Sequence, residues 1–194
     1  MNHSERQGHG FSFEEYVEKF YNVDRSQDGY GKNYTDPWDG KYKNYPVSIK
    51  HIKKGNAIDL ADVFRQASIT EDFYMFIDFY ETETVSDSDD IHILFIPAVK
   101  WNSYFAPLEK FENKFRDVLK SVSNDKTDDT KWDELRKECV QYWKNITTGF
   151  ITLNGKRDHK KQKRWQCSIN KTNFFKEFLP KYEITEEEFY ATRD

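Results

Sequence analysis

The stretch Tyr34–Leu60, YTDPWDGKYKNYPVSIKHIKKGNAIDL, decides how the chain is read, because an acid, a β-rich run and a lysine lie close together in it. Asp36-Pro37-Trp38-Asp39-Gly40 reads as a turn: Pro37 has a fixed φ, Gly40 can reach positive φ, and both aspartates can bond nearby backbone. A strand is expected next, over Tyr45–Ile52. Pro46 sits at its start, where a missing N–H does little harm, and Val47, Ile49 and His51 then alternate with Ser48, Lys50 and Ile52. Ser48 and Lys50 therefore share a face. Asp39 meets that face if the Asp-Gly segment and the strand form a hairpin or a bent strand.

Working outward, Phe13, Tyr16, Val17, Phe20 and Tyr21 recur at helical spacing, with Ser12 as N-cap and Glu15 completing a capping box. At about 100° per residue, Glu14 flanks that apolar stripe, Glu18 lies further round and Glu15 points away. Asp24–Asn33 reads as a loop without identifiable chemistry. After the strand, Asn56 is expected to cap a helix to about Ser68, with Leu60, Ala61, Phe64 and Ala67 inward and Arg65 and Gln66 on or beside the outer face. Glu71–Glu81, EDFYMFIDFYE, reads as a strand buried on both faces, in which Asp78 needs a partner. Ile91–Pro97 is a further buried strand.

Leu108, Phe111, Phe115, Val118, Leu119 and Val122 define one long amphipathic helix. Trp132, Leu135, Cys139, Tyr142, Trp143 and Ile146 define a second, expected antiparallel to it. Phe150–Leu153 and Lys163–Ile169 read as neighbouring strands around NGKRDHKKQK, a basic hairpin over 150–170. Trp165, Cys167 and Ile169 face one way on the second strand, and Arg164, Gln166 and Ser168 the other. Thr172–Leu179 and Thr185–Thr192 read as short helices.

An acid on one strand and x-Lys on the next suits phosphodiester cleavage with a divalent metal: carboxylate oxygens hold a hard Mg²⁺, and an ammonium stabilises charge or positions the nucleophile. Here the stretch resembles the PD-(D/E)XK nuclease superfamily, which includes many restriction endonucleases. Pro37-Trp38-Asp39 stands where the family has Pro-Asp, and Ser48-Ile49-Lys50 where it has (D/E)-x-K. Trp38 separates the proline from the aspartate, and Ser48 is a poor metal ligand, so another carboxylate must complete the site. In the family a glutamate from a helix ahead of the core strands sometimes does so, which makes Glu14 the candidate, with Glu18 second. The resemblance implies a single α/β (α+β) domain over 1–194, with a restriction-endonuclease-like mixed central sheet flanked by helices. It also implies Mg²⁺, double-stranded DNA as substrate, and a homodimer. Catalysis would fall to Asp39, Lys50, Ser48 and Glu14, with Asp39 and Glu14 or Glu18 on the metal. The competing reading of the stretch is a surface hairpin whose lysines guard an edge strand.

Composition narrows the class. The chain has 194 residues, enough for a real core, a 17% aromatic content that argues against disorder, and a formal net charge of −4. Base gathers in Lys41–Lys54 and Lys156–Arg164. A basic loop feeding a strand can read DNA, with lysines on phosphates and Arg or Gln on base edges; Lys156, Arg157, Lys160, Lys161, Lys163, Arg164 and Gln166 are the candidates. Cys139 and Cys167 are expected as buried free thiols. Residues 1–10 are polar and expected to be loose. Without an apolar span or signal segment, the expected protein is soluble, intracellular and without membrane contact. No P-loop, G-x-S-x-G, H-E-x-x-H or dinucleotide fingerprint occurs, so kinase, serine hydrolase and zinc protease readings drop out. Two other classes stay open: a catalytically inactive DNA-binding or regulatory protein on the same scaffold, and a protein-interaction module.

Overall fold

The computed structural model describes residues 13–25, 38–81, 91–124, 129–157 and 163–191. In chain order the elements are a helix over 13–21 (α1), β1 Gly40–Tyr42, β2 Tyr45–Lys53, β3 Ile58–Asp62, α2 Val63–Ala67, β4 Phe73–Tyr80, β5 Ile91–Ile96 and α3 Ala98–Ser103. There follow α4 Leu108–Asn124, α5 Asp129–Ile146, β6 Ile151–Arg157, β7 Lys163–Ile169, α6 Lys171–Glu177, α7 Leu179–Tyr182, β8 Glu183–Ile184 and α8 Glu186–Ala191. The fold is mixed α/β, as expected, with a mixed central sheet and flanking helices. Ser12, Pro37, residues 1–10 and residues 82–90 lie outside the described residues. Contacts gather into two compact units, each drawn from separate stretches: 13–56, 70–99 and 174–191 in one, 57–69 and 100–173 in the other, within the described residues.

The first unit is built on a five-stranded sheet in the order β1-β2-β4-β5-β8. The β1–β2 hairpin is antiparallel with Gly40 opposite Val47, and its two-residue turn places Lys43 at a φ of 52°. β2 runs parallel to β4, while β4–β5 and β5–β8 are antiparallel, which makes the sheet mixed. β4 is buried on both faces because helices cover both. On one face Phe13, Val17 and Tyr21 of α1 and Phe189 of α8 close over Tyr42, Val47, Ile49, Phe76 and Ile93. On the other, Phe175 meets Phe79 with ring centres 5.1 Å apart. The inward stripe of α1 is narrower than its apolar content: Phe20, expected inside, is half exposed and packs on Tyr16.

Asp78 is fully buried, and its partner is His51, which faces it in the β2–β4 register. His51 Nδ1 lies 2.7 Å from Asp78 Oδ2, without the alignment of a well-formed hydrogen bond. The imidazole is held between the rings of Phe13 and Tyr80, 5.0 and 4.2 Å away. Val47, Ser48 and Ile49 are buried. β2 is thus buried over its first half, while Lys50 and Lys53 keep the half-buried and exposed positions of the surface-hairpin reading.

The second unit has a three-stranded antiparallel sheet in the order β3-β7-β6. The helix expected over Asn56–Ser68 is instead β3 followed by the short α2. The reason is local. Asp62, not Asn56, caps the helix by accepting from the N–H of Arg65, and Ile58–Asp62 pairs with β7 through an irregularity at Ala61, whose φ is 64°. Gln66 is correspondingly buried and donates to the carbonyl of Leu60 at 2.8 Å. α4 and α5 are both present and antiparallel, with Phe111 against Trp143 and Lys114 against Glu138. Gly155 in β6 lets α5 come close: a Cβ there would stand 2.6 Å from Cγ of Arg136. Cys139 and Cys167 are buried free thiols, and burial pushes the Cys139 thiol up to about 12. Trp101 and Phe105 are core residues.

Candidate active site

The site of interest lies at the outer edge of β2. β1 pairs only with Tyr45, Pro46 and Val47, so among the described residues no strand lies beside that edge of β2 from Ser48 onward. Asp39, just before β1, takes over where the ladder stops. Its backbone N–H donates to the carbonyl of Val47 at 2.8 Å, and its carboxylate Oδ2 accepts from the N–H of Ile49 at 2.7 Å. The aspartate is therefore fixed by the strand it caps. Lys50, one residue further, is half-buried.

Glu14 enters from the first turn of α1, on the border of the stripe that packs on the sheet. Its carboxylate is raised in pKa first by burial and next by the nearby negative charge of Asp39; Arg25 and then Lys50 work in the opposite direction. Each of these groups stands close enough to be felt by Glu14. The structure thus brings Glu14 and Asp39, two of the residues singled out from sequence, to one sheet edge, with Lys50 next after Ile49 on the strand that Asp39 caps. Glu18 is more peripheral, with about half its side chain exposed. Ser48 is 6% exposed, a buried polar residue with little room for a ligand shell.

Arg25 completes the cluster, and the sequence reading missed it. Its guanidinium Nη2 pairs with Glu14 Oε2, Nη1 lies 3.9 Å from Glu18 Oε2, and Nε donates to the backbone carbonyl of Asp39 at 3.2 Å. A short ladder sets its position: Asp24 N–H donates to the carbonyl of Lys41 at 2.7 Å, and Lys41 N–H donates back at 2.8 Å. Gly40 makes room for the side chain, since a Cβ at that position would lie 3.2 Å from Cγ of Arg25 and 2.7 Å from Cγ1 of Val23. An arginine beside Asp24 at the start of a loop was the available signal, and only the bridge to Lys41 gives it meaning.

Among the described residues no group of three or more His, Cys, Asp or Glu side chains is placed to share a metal ion. Two hard carboxylates whose charges act on each other are nevertheless a donor set that fits Mg²⁺, which is commonly held by one or two protein carboxylates together with water and substrate phosphate.

The candidate DNA-reading residues that are described share one hairpin, with Lys156 opposite Arg164 and Arg157 opposite Lys163. Lys160 and Lys161 lie outside the described residues, and Lys163 opens β7. The hairpin itself forms, over Ile151–Arg157 and Lys163–Ile169. Lys156 is engaged by Asp59 Oδ2 at 2.9 Å, Arg157 and Arg164 are half-buried, and Gln166 is buried. Gln166 was expected outward. β7 is the middle strand of its sheet with α2 against it, so both of its faces are covered there. Three cations of α5, Arg136, Lys137 and Lys144, line a depression of about 320 Å³ together with Val140 and Gln141.

Comparison with protein-family models, with curated proteins and with solved structures found no match to this chain. Among the described residues no helix is long and apolar enough to cross a membrane.

Proposed function

We propose that this protein is a Mg²⁺-dependent endonuclease of double-stranded DNA, of the restriction type. The observation that carries the reading is Asp39, fixed by the Ile49 N–H beside Lys50, with Glu14 joined to the Asp39 carbonyl through Arg25. Asp39 and Glu14 would hold the ion; when bound, Mg²⁺ polarises the phosphate and acidifies a water. Asp39 is suited to this because the Ile49 N–H fixes its carboxylate and so lowers the cost of ordering it. Lys50 offers an ammonium to the phosphate or to the attacking water. Ser48, buried beneath, is left with at most a hydrogen bond to water. On a palindromic site the enzyme would act as a homodimer, since two-fold symmetry of the protein then matches that of the DNA. The basic depression on α5 and the β6–β7 hairpin supply cations for backbone phosphates.

The test is incubation of purified protein with mixed-sequence duplex DNA in Mg²⁺, beside an EDTA control, Asp39→Ala and Lys50→Ala. Discrete fragments that need the metal, Asp39 and Lys50 are the expected result. Cutting by Lys50→Ala protein would remove the assignment.

Two observations favour a second reading, a DNA-binding protein that does not cut. The guanidinium of Arg25 already satisfies Glu14, and serine stands where the family motif carries an acid. Intact DNA together with a salt-dependent gel shift would select that reading.

A further inference from the structure

We propose that Arg25 is a resident cation of this site: it holds Glu14 in the metal-free protein, a divalent ion displaces it from that carboxylate, and the released guanidinium is then offered to a DNA phosphate. This rests on the metal-site reading above and adds a residue and a step to it.

Three features carry the inference. First, the guanidinium touches both walls of the site, pairing with Glu14 on one side and donating to the Asp39 carbonyl on the other. A cation arriving between Glu14 and Asp39 therefore competes with Arg25 for Glu14. Second, Arg25 is built in. Its backbone neighbour is laddered to Lys41, and Gly40 is the residue whose missing side chain admits its stem. Third, its chemistry is right for a handover. An arginine cannot shed its charge to make way for a metal, and its planar fork suits phosphate oxygens as well as it suits a carboxylate. Glu18, 3.9 Å from Nη1 and more exposed, is a second carboxylate for the guanidinium during exchange.

The charges agree. Glu14, Glu15, Glu18 and Asp39 stand against Arg25 and Lys50 among the described residues, four carboxylates against two cations, so the metal-free cluster is negative and does not attract DNA. A divalent ion cancels that charge, which removes the repulsion of phosphate.

The experiment is a titration with Mn²⁺ alone, following free Mn²⁺ by electron paramagnetic resonance, on unmodified protein, Arg25→Ala, Arg25→Lys, Glu14→Gln and Asp39→Asn. Arg25→Ala should bind Mn²⁺ about tenfold more tightly than unmodified protein, because a charged hydrogen-bonded competitor has gone. Arg25→Lys should fall between them. In unmodified protein, which needs no variant to fold, the Arg25 Nε–H resonance should move as Mg²⁺ is added. In a Lys50→Ala background with Mn²⁺, adding Arg25→Ala should reduce the salt slope of duplex binding by about one. If Mn²⁺ affinity depends on Glu14 and Asp39 yet is the same with and without Arg25, or if the Nε–H resonance stays still, the resident-cation inference is overturned and the metal site survives. Mn²⁺ binding indifferent to Glu14 and Asp39 overturns both. An unchanged salt slope overturns the handover to phosphate.

Discussion

Glu188 shows how much a single side chain does in this fold. It sits in the first turn of α8, where its Oε2 accepts from both the N–H and the hydroxyl of Thr185, while Thr185 Oγ1 accepts from the N–H of Glu188 at 3.1 Å. This reciprocal cap was legible as Thr-x-x-Glu. The hydrogen bond from the Thr185 backbone, then that from its hydroxyl, holds the Glu188 carboxyl below its ordinary value of 4.5. A depressed acid stabilises the folded state above the unfolded value and loses that contribution as pH falls through the folded one. Urea midpoints should thus decline on acidification less steeply in Glu188→Gln than in unmodified protein; parallel curves would refute the linkage. Other residue-scale facts were not legible. Arg25 reads as one cation in a loop, and Gln166 alternates outward on paper, because neither a strand bridge nor the cover over a central strand is written in local pattern.

At the scale of elements, long periodic segments came through and short ones did not. α4, α5, β2, β4 and the β6–β7 hairpin announce themselves by spacing. β8, only two residues long, and β3, whose pairing breaks its register at Ala61, carry no period to detect. The parallel β2–β4 pair was likewise hidden, since pairing direction depends on the intervening connection rather than on either strand. That pair is what sets His51 opposite Asp78. The close packing at β1 makes its own prediction. Gly40→Ala should cost about 1–3 kcal/mol in chemical denaturation, because the added carbon falls 2.7 Å from Val23 and 3.2 Å from the carbonyl of Asp24. A neutral substitution would show that the 23–25 segment is not fastened there.

At the scale of the whole molecule, the sequence pointed to mixed α/β architecture but not to two groups of contacts that share the chain in alternate pieces. Hydrophobic periodicity says which residues are inside, not which interior they join. Phe189 illustrates the point: it stacks on Tyr42 with ring centres 4.2 Å apart and meets Tyr21 and Phe76 edge-on. Phe189→Ala should lower stability by about 3–5 kcal/mol, a large part of the roughly 5–15 kcal/mol of an ordinary domain. A loss near zero would mean that the face of the sheet closes without it. The same ring also governs how the protein can come off the ribosome. At about 5–20 residues per second, translation takes on the order of 10 s to travel from Val47 to Phe189. For that interval the apolar face that α8 will cover is open, and a chaperone able to mask aromatic surface has its opportunity there.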